Sequence, residues 1–150
     1  MILRREVTDV VLTRLRAVWA ATGDHDAPPD TSGPYAILET PSGSALTGGI
    51  LCSEHDLLMV VRVRTVGQTF ADAGSDTGGE RDVTIEFARR EAQHLADRLR
   101  AALLDRTVQL QTAGWRVAGR EHFADAGTEV DVEAGIVNVV DDYRLYVTPR

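Results

Sequence analysis

The chain has 150 residues, of which 43% are hydrophobic and 26% charged, a size and composition typical of a single folded domain with one core. Its formal net charge is −7, and all 16 basic residues are arginine because the sequence contains no lysine. Nucleic-acid binding needs clustered cations that neutralise phosphates, so this acidic balance argues against a nucleic-acid-binding protein.

The only cysteine is Cys52, which excludes an intramolecular disulfide. The first residues, MILRREVTDVV, lack the uninterrupted apolar stretch of a signal peptide. No apolar run approaches the roughly 18 residues that a transmembrane helix needs. We therefore expect a soluble protein that is assembled in a reducing cytoplasm and has no membrane partner.

Two helices are predicted from apolar residues that recur every three or four positions. The first covers residues 6–22 and is expected to stop at Gly23, followed by a loop of about a dozen residues rich in turn formers. The second covers residues 83–104, with Leu95 and Leu99 on its buried stripe. Half of that stripe is alanine, which allows the helix to lie close to a sheet.

The predicted strands alternate in hydrophobicity and are bounded by turn residues. A strand over 34–40 ends at a turn over 41–44, and a strand over 57–66 leads into a Gly- and Asp-rich loop over 67–82. Further strands are predicted over 108–110 and 115–121 around a turn at Gly114, then an acidic loop over 121–133, and a last strand over 135–149 with a bulge at Asp141 and Asp142.

Strands in adjacent pairs, with long helices at the start and in the middle, predict an α+β fold. We expect a mostly antiparallel sheet of four to five strands with both helices on one face. The other face carries Arg62 and Arg64 and would be solvated in a monomer.

The four histidines have no convincing ligand spacing, and no catalytic or cofactor motif occurs. His25 and His55 lie in turn-like segments and are interpreted as solvated, with a metal ligand as the alternative; His94 is expected on a helix surface or an interface. His122 lies beside Glu121 and near Asp125, so a base oriented by an acid is the alternative to a surface histidine. Cys52 is interpreted as a small core residue. We predict no catalytic residue, no metal and no cofactor.

An interface is the remaining kind of functional site. Arg62 and Arg64 have no obvious partner within the chain, and they are either solvated charges or partners for carboxylates of a neighbouring subunit, since arginine binds carboxylates bidentately. The candidate interface residues are Arg62, Arg64, Arg116, Arg144 and Tyr146.

The order of segments resembles that of a known family. An amphipathic first helix and a Pro-rich loop are followed by SGPYAILETPSG, MVVRVRTVGQT, EAQHLADRLRAALL, GWRV and VVDDYRLYVTPR. These segments span nearly the whole chain and resemble the tail terminator proteins of long flexible-tailed, siphovirus-type actinobacteriophages. The insert over 72–82 is longer than the segment expected before the second helix in that family.

The resemblance implies a non-enzymatic virion subunit that closes into a homohexameric ring at the tail–neck junction, after assembly in the host cytoplasm. Such a ring binds the last ring of the major tail (tube) protein, ends tube growth and offers a docking surface to head-completion or neck proteins. Genomic DNA passes through its lumen without specific binding, and acidic segments over 72–82 and 121–133 would repel the duplex there. The alternatives are another neck or head–tail connector protein of similar fold, or a small-molecule-binding or hydrolytic α/β domain with His122 in a deep pocket.

Overall fold

The computed structural model describes residues 4–29, 33–40, 45–49, 52–68 and 78–150. Its elements in chain order are α1 (Arg4–Val18), β1 (Thr22–Asp24), β2 (Tyr35–Glu39), β3 (Ala45–Gly49), β4 (Cys52–Gln68), α2 (Gly78–Leu104), β5 (Trp115–Asp131) and β6 (Ile136–Pro149).

These strands form one sheet in the order β1-β2-β4-β6-β5, and β3 also pairs with β4. The β3 strand lies along the same edge of β4 as β2, since β6 occupies the other edge. Every pairing is antiparallel except that of β1 with β2. The sheet is therefore five positions wide, and the predicted α+β fold with its mostly antiparallel sheet is confirmed.

Helix α1 buries Val7, Val11 and Leu15, which lie four residues apart on one face. It ends at Val18, earlier than predicted, because the chain then turns into β1. Gly23 is not the helix stop: it lies in β1, where a Cβ atom would be 1.9 Å from the carbonyl oxygen of Asp26. The backbone of Asp26 is too close to Gly23 for any side chain to fit at this position.

Helix α2 begins at Gly78, five residues before the predicted start, and it organises the core on one face of the sheet. Leu95 and Leu99 are 2% and 1% exposed and belong to the same apolar cluster as residues of α1 and the sheet, which confirms their predicted burial. A second cluster joins the predicted alanine stripe to β6 and contains Ala88, Ala92, Ala96, Val137 and Val139.

The acidic segment over 121–133 is not a loop, as the sequence predicted, because β5 continues through it to Asp131. The segment pairs with β6 from Glu121 to Asp131, and two register shifts interrupt this pairing, one between His122 and Ala124 and one between Asp125 and Gly127. These bulges break the period-two pattern, so the sequence hides the strand. The predicted strand over 108–110 does not form, and an isolated bridge joins the next residue, Gln111, to Arg116.

The predicted bulge at Asp141 and Asp142 is also wrong. Strand β6 pairs with β4 without interruption, and the two aspartates lie opposite Val63 and Arg62 in unbroken register. The predicted loop over 67–82 is shorter at both ends, and its remainder, like the predicted turn over 41–44, lies outside the described residues. No helix in the described part of the chain is long and apolar enough to cross a membrane.

The close contact between α2 and the sheet gives a stability prediction. A Cβ atom at Gly67 would be 2.0 Å from the carbonyl oxygen of Ala88, so Gly67→Ala must push the helix away. We expect a loss of about 1–3 kcal/mol in the free energy of unfolding, measured by chemical denaturation. Gly114→Ala is the control, because no atom lies within 4 Å of its added Cβ. Equal stability of the two variants would contradict this packing.

Candidate functional site: the uncovered face of the sheet

The two faces of the sheet differ in what covers them. In β4 the side chains of Leu57, Met59, Val61 and Val63 join the core cluster beneath the helices. Successive strand residues point to opposite faces, so the even-numbered residues of β4 and their partners in β2, β5 and β6 form the other face. We call this the uncovered face, since no helix in the described chain packs against it.

All five candidate interface residues lie on the uncovered face, according to strand register. Arg62 and Arg64 are in β4, and Arg144 and Tyr146 are in the adjacent strand β6, opposite Val60 and Leu58. Arg116 lies at the start of β5, opposite Thr148. The structure thus brings together side chains that are up to 84 positions apart in the sequence.

Arg62 is held by a carboxylate of its own chain. Its Nε and one terminal nitrogen donate to the two carboxylate oxygens of Asp142 at 2.8 and 3.1 Å, and Asp142 is 8% exposed. The hydrogen bond to Asp142 raises the pKa of the Arg62 guanidinium. This bidentate geometry is the strong form of the arginine–carboxylate pair.

Arg64 joins three strands. Its guanidinium donates to Glu39 of β2 at 3.4 Å and to Glu129 of β5 at 3.0 Å, and the second contact crosses over β6. The expectation that Arg62 and Arg64 lack a partner within the chain is therefore wrong. Their partners come from distant strands, and only the strand register brings them within reach.

Arg144 and Tyr146 share Glu121 as a partner. The Arg144 guanidinium lies 3.1 Å from this carboxylate and 4.1 Å from the centroid of the Phe123 ring, and the Tyr146 hydroxyl donates to Glu121 at 3.4 Å. Arg116, by contrast, is exposed and has no ion pair with any residue that the structure describes. The charges at the centre of the uncovered face are thus neutralised within the chain, and its role as an interface stays a prediction.

A buried polar cluster lies on the helix-covered face. The Asp141 carboxylate is 1% exposed and contacts His122 Nε2 at 2.8 Å and an Arg100 nitrogen of α2 at 2.9 Å. The ring of Tyr143 packs edge-on against His122, with the two centroids 5.4 Å apart. Burial, reinforced by the Asp141 carboxylate, raises the pKa of the Tyr143 hydroxyl.

One alternative from the sequence was that an acid orients His122. The structure does place an acid beside this histidine, but the acid is Asp141 and not Glu121 or Asp125. A cavity between α1 and residues 108–111 is not lined by His122. The contacts of Asp141 with Arg100 and His122 neutralise a buried carboxylate and connect α2 and β5 to β6.

Of the other histidines, the structure describes the side chains of His25 and His94 but not that of His55. His25 has a φ of 64° and its Nδ1 lies 2.6 Å from Asp24, while His94 is exposed on α2 as predicted. The backbone of His55 and Cys52 lies in β4, not in a turn, and their side chains are outside the described residues. No group of three or more potential metal ligands occurs within the described ranges.

Comparison with known proteins gives a match in fold only. No protein-family model matches the chain, and no curated protein does. Among solved structures, it matches a chain of the virion of the native gene transfer agent (GTA) particle with a TM-score of 0.59 and 15% sequence identity, over 93% of this chain and 92% of that chain. A second solved chain matches with a TM-score of only 0.38 at 13% identity, covering 95% of this chain and 92% of that one. The first match shows a shared fold over most of both chains.

The Asp141 cluster gives the second prediction. Asp141→Asn removes the buried negative charge that neutralises Arg100, and it leaves a less basic partner for His122. We expect the free energy of unfolding to fall by about 1–3 kcal/mol in chemical denaturation at neutral pH. Asp125→Asn, at an exposed position of β5, is the matched control and should change stability by less than about 0.5 kcal/mol. If Asp141→Asn left the free energy of unfolding unchanged, the cluster would not stabilise the sheet.

Proposed function

We propose that this chain is a structural subunit of a phage-like virion and, more specifically, the tail terminator that caps the tail tube. The single observation that carries the proposal is the shared fold with a chain of the gene transfer agent virion, which covers more than nine tenths of both chains. The sequence resemblance to siphovirus-type tail terminators points in the same direction.

The physical character of the subunit agrees with a role in assembly. Helices cover one face of the sheet, and ion pairs such as Arg62–Asp142 fasten neighbouring strands on the other. A domain held in this way is a rigid building block, and a closed ring needs only that each copy offers one surface to the next. In this proposal six copies form the ring.

The proposed partners are the major tail (tube) protein below the ring and a head-completion or neck protein above it. The genome passes through the lumen without specific binding, in keeping with the net charge of −7. The proposed location is the tail–neck junction of the virion, after assembly in the host cytoplasm.

Deletion of the gene tests this function. Without a terminator, tube subunits keep adding, so we expect full heads beside unjoined tails whose tubes are irregular and too long. Negative-stain microscopy of lysates measures the length distribution, and a plasmid copy of the wild-type gene is the control that must restore a single length.

Two other outcomes have clear meanings. Unjoined tails with tubes of normal length would contradict the terminator and favour the alternative of a neck or connector component. Normal-length tubes already attached to heads would contradict both versions of the proposal.

A further inference from the structure

The sheet has an open strand on each of its two sides. On one side, β5 has an outer neighbour in the described chain only at its start, where Arg116 is bridged to Gln111. On the other side, β3 continues the line of β2 along β4, and β1 pairs only with residues 36–38 of β2. The outer side of β3 is therefore open among the strands that the structure describes. Backbone groups on an open edge are a template for pairing with another chain.

The distal half of β5 exposes apolar side chains beside its open edge. Of the four large hydrophobic residues that are exposed in the described chain, three lie between residues 123 and 132. Phe123 is 48% exposed, Val130 41% and Val132 55%. Val130 is exposed although its partner in β6, Val137, is fully buried. A further strand would cover side chains at this edge, since neighbouring strands in a sheet lie only about 4.8 Å apart.

The end of β5 also lacks bulges, which are one of the features that protect an edge strand from pairing. The last register shift of β5 lies between Asp125 and Gly127, and residues 127–131 then pair with β6 without interruption. We call the outer side of residues 127–131 the distal edge. It is five residues long, the same length as β3.

Negative charge restricts what can pair with the distal edge. A second copy of β5 would pair with it antiparallel about a two-fold axis. With the axis at Thr128, Asp125 faces Asp131, and with the axis at Val130, Glu129 faces Asp131. Like charges directly opposite one another destabilise a strand pair. The partner strand is therefore expected to lack acidic residues.

Strand β3 meets this requirement. The sequence contains no charged residue from Pro41 to Ser53, a stretch that includes all of β3. Strand β1 lies on the same side of the sheet, but it has only three residues and includes Asp24. Of the strands open on this side, β3 thus matches the distal edge in length and carries no acid.

The strand directions also favour this pairing. Strand β5 is antiparallel to β6, β6 to β4, and β4 to β3, so β5 and β3 run in opposite directions. Copies related by rotation about an axis along the strands keep these directions. The β5 strand of one copy therefore meets β3 of the next in an antiparallel arrangement, in which main-chain hydrogen bonds run perpendicular to the strands.

We propose that the distal edge of one copy pairs with β3 of a second copy and extends the sheet from subunit to subunit. Main-chain hydrogen bonds between residues 127–131 and residues 45–49 join the copies, and the added strand covers Val130. Because the contact uses opposite sides of the sheet, it is head-to-tail and leaves one open β5 and one open β3 for further copies. The inference rests on the proposed function, since it names the contact by which ring subunits join.

Two half-blocked variants test this contact. Val130→Asp adds a charge to the distal edge, and Leu46→Asp places an acid on β3, where it meets the acids of β5. Each variant alone should self-associate at least about tenfold more weakly than wild type in sedimentation velocity. An equimolar mixture joins the intact β3 of the first variant to the intact β5 of the second. It should therefore form a one-to-one dimer and nothing larger.

The mixture is also the folding control, because an unfolded variant cannot restore the dimer. Phe87→Asp is the matched surface control, since Phe87 is 48% exposed but lies on α2 and on neither strand, and this variant should assemble as wild type. Hydrogen exchange gives a second readout. When the wild type associates, the amides of residues 45–49 and 127–131 should exchange more slowly.

The remaining outcomes overturn the inference. If Leu46→Asp alone associated as wild type, β3 would not be the partner of β5. Wild-type assembly of Val130→Asp, a mixture of folded variants that stays monomeric, or a wild type that stays monomeric at millimolar concentration would also overturn it. The gene-deletion phenotype is independent of this contact, so a failure of the contact and a failure of the tail-terminator function are distinguishable.

Discussion

The structure depends on how arginines of α2 and β4 neutralise two consecutive buried aspartates of β6. Asp141 and Asp142 are 1% and 8% exposed, and their carboxylates point to opposite faces of the sheet. Asp141 is paired with Arg100 beneath the helices, and Asp142 with Arg62 on the uncovered face. A buried carboxylate without a partner is strongly destabilising, so these contacts fix where α2, β4 and β6 lie relative to one another.

Around this pairing the two faces have separate roles. The helix-covered face supplies the apolar core, and Gly67 with the alanines of α2 brings helix and sheet into close contact. On the uncovered face, Arg64 links β2 to β5 across β6. Arg62, Arg64 and Arg144 are thus occupied in holding the sheet together, and Arg116 is the candidate interface arginine without an ion pair to any residue that the structure describes.

Much of the fold can be predicted from the sequence, because helix periodicity is a local property. The burial of Leu95 and Leu99 follows from residues within one helix, and the apolar core of β4 follows from its short alternating run. The continuation of β5 could not be predicted, since its bulges disrupt alternation and both faces of its distal half carry exposed residues. Nor could the short β1, which has only three residues and contains Gly23, packed against the backbone of Asp26 in the segment that follows.

The candidate site could be predicted only in part. Alternation placed Arg62 and Arg64 on one face correctly, but their carboxylate partners lie 80 and 65 positions away for the contacts with Asp142 and Glu129. Such pairs depend on strand order and register, which no local pattern encodes. The same reason hid Asp141 as the partner of His122. The bulge predicted at Asp141 and Asp142 does not form, and arginines on opposite faces of the sheet, Arg100 and Arg62, pair with the two carboxylates.

The central claim, that this chain is a tail terminator, is tested most directly by a cryo-electron microscopy map of the intact particle that encodes it. The account predicts that density for this fold, with its two helices on one side of a five-position sheet, forms one ring between the last ring of the tail tube and the neck. Density for the chain at the portal side of the neck, or within the tube, or absent from the particle, would contradict it.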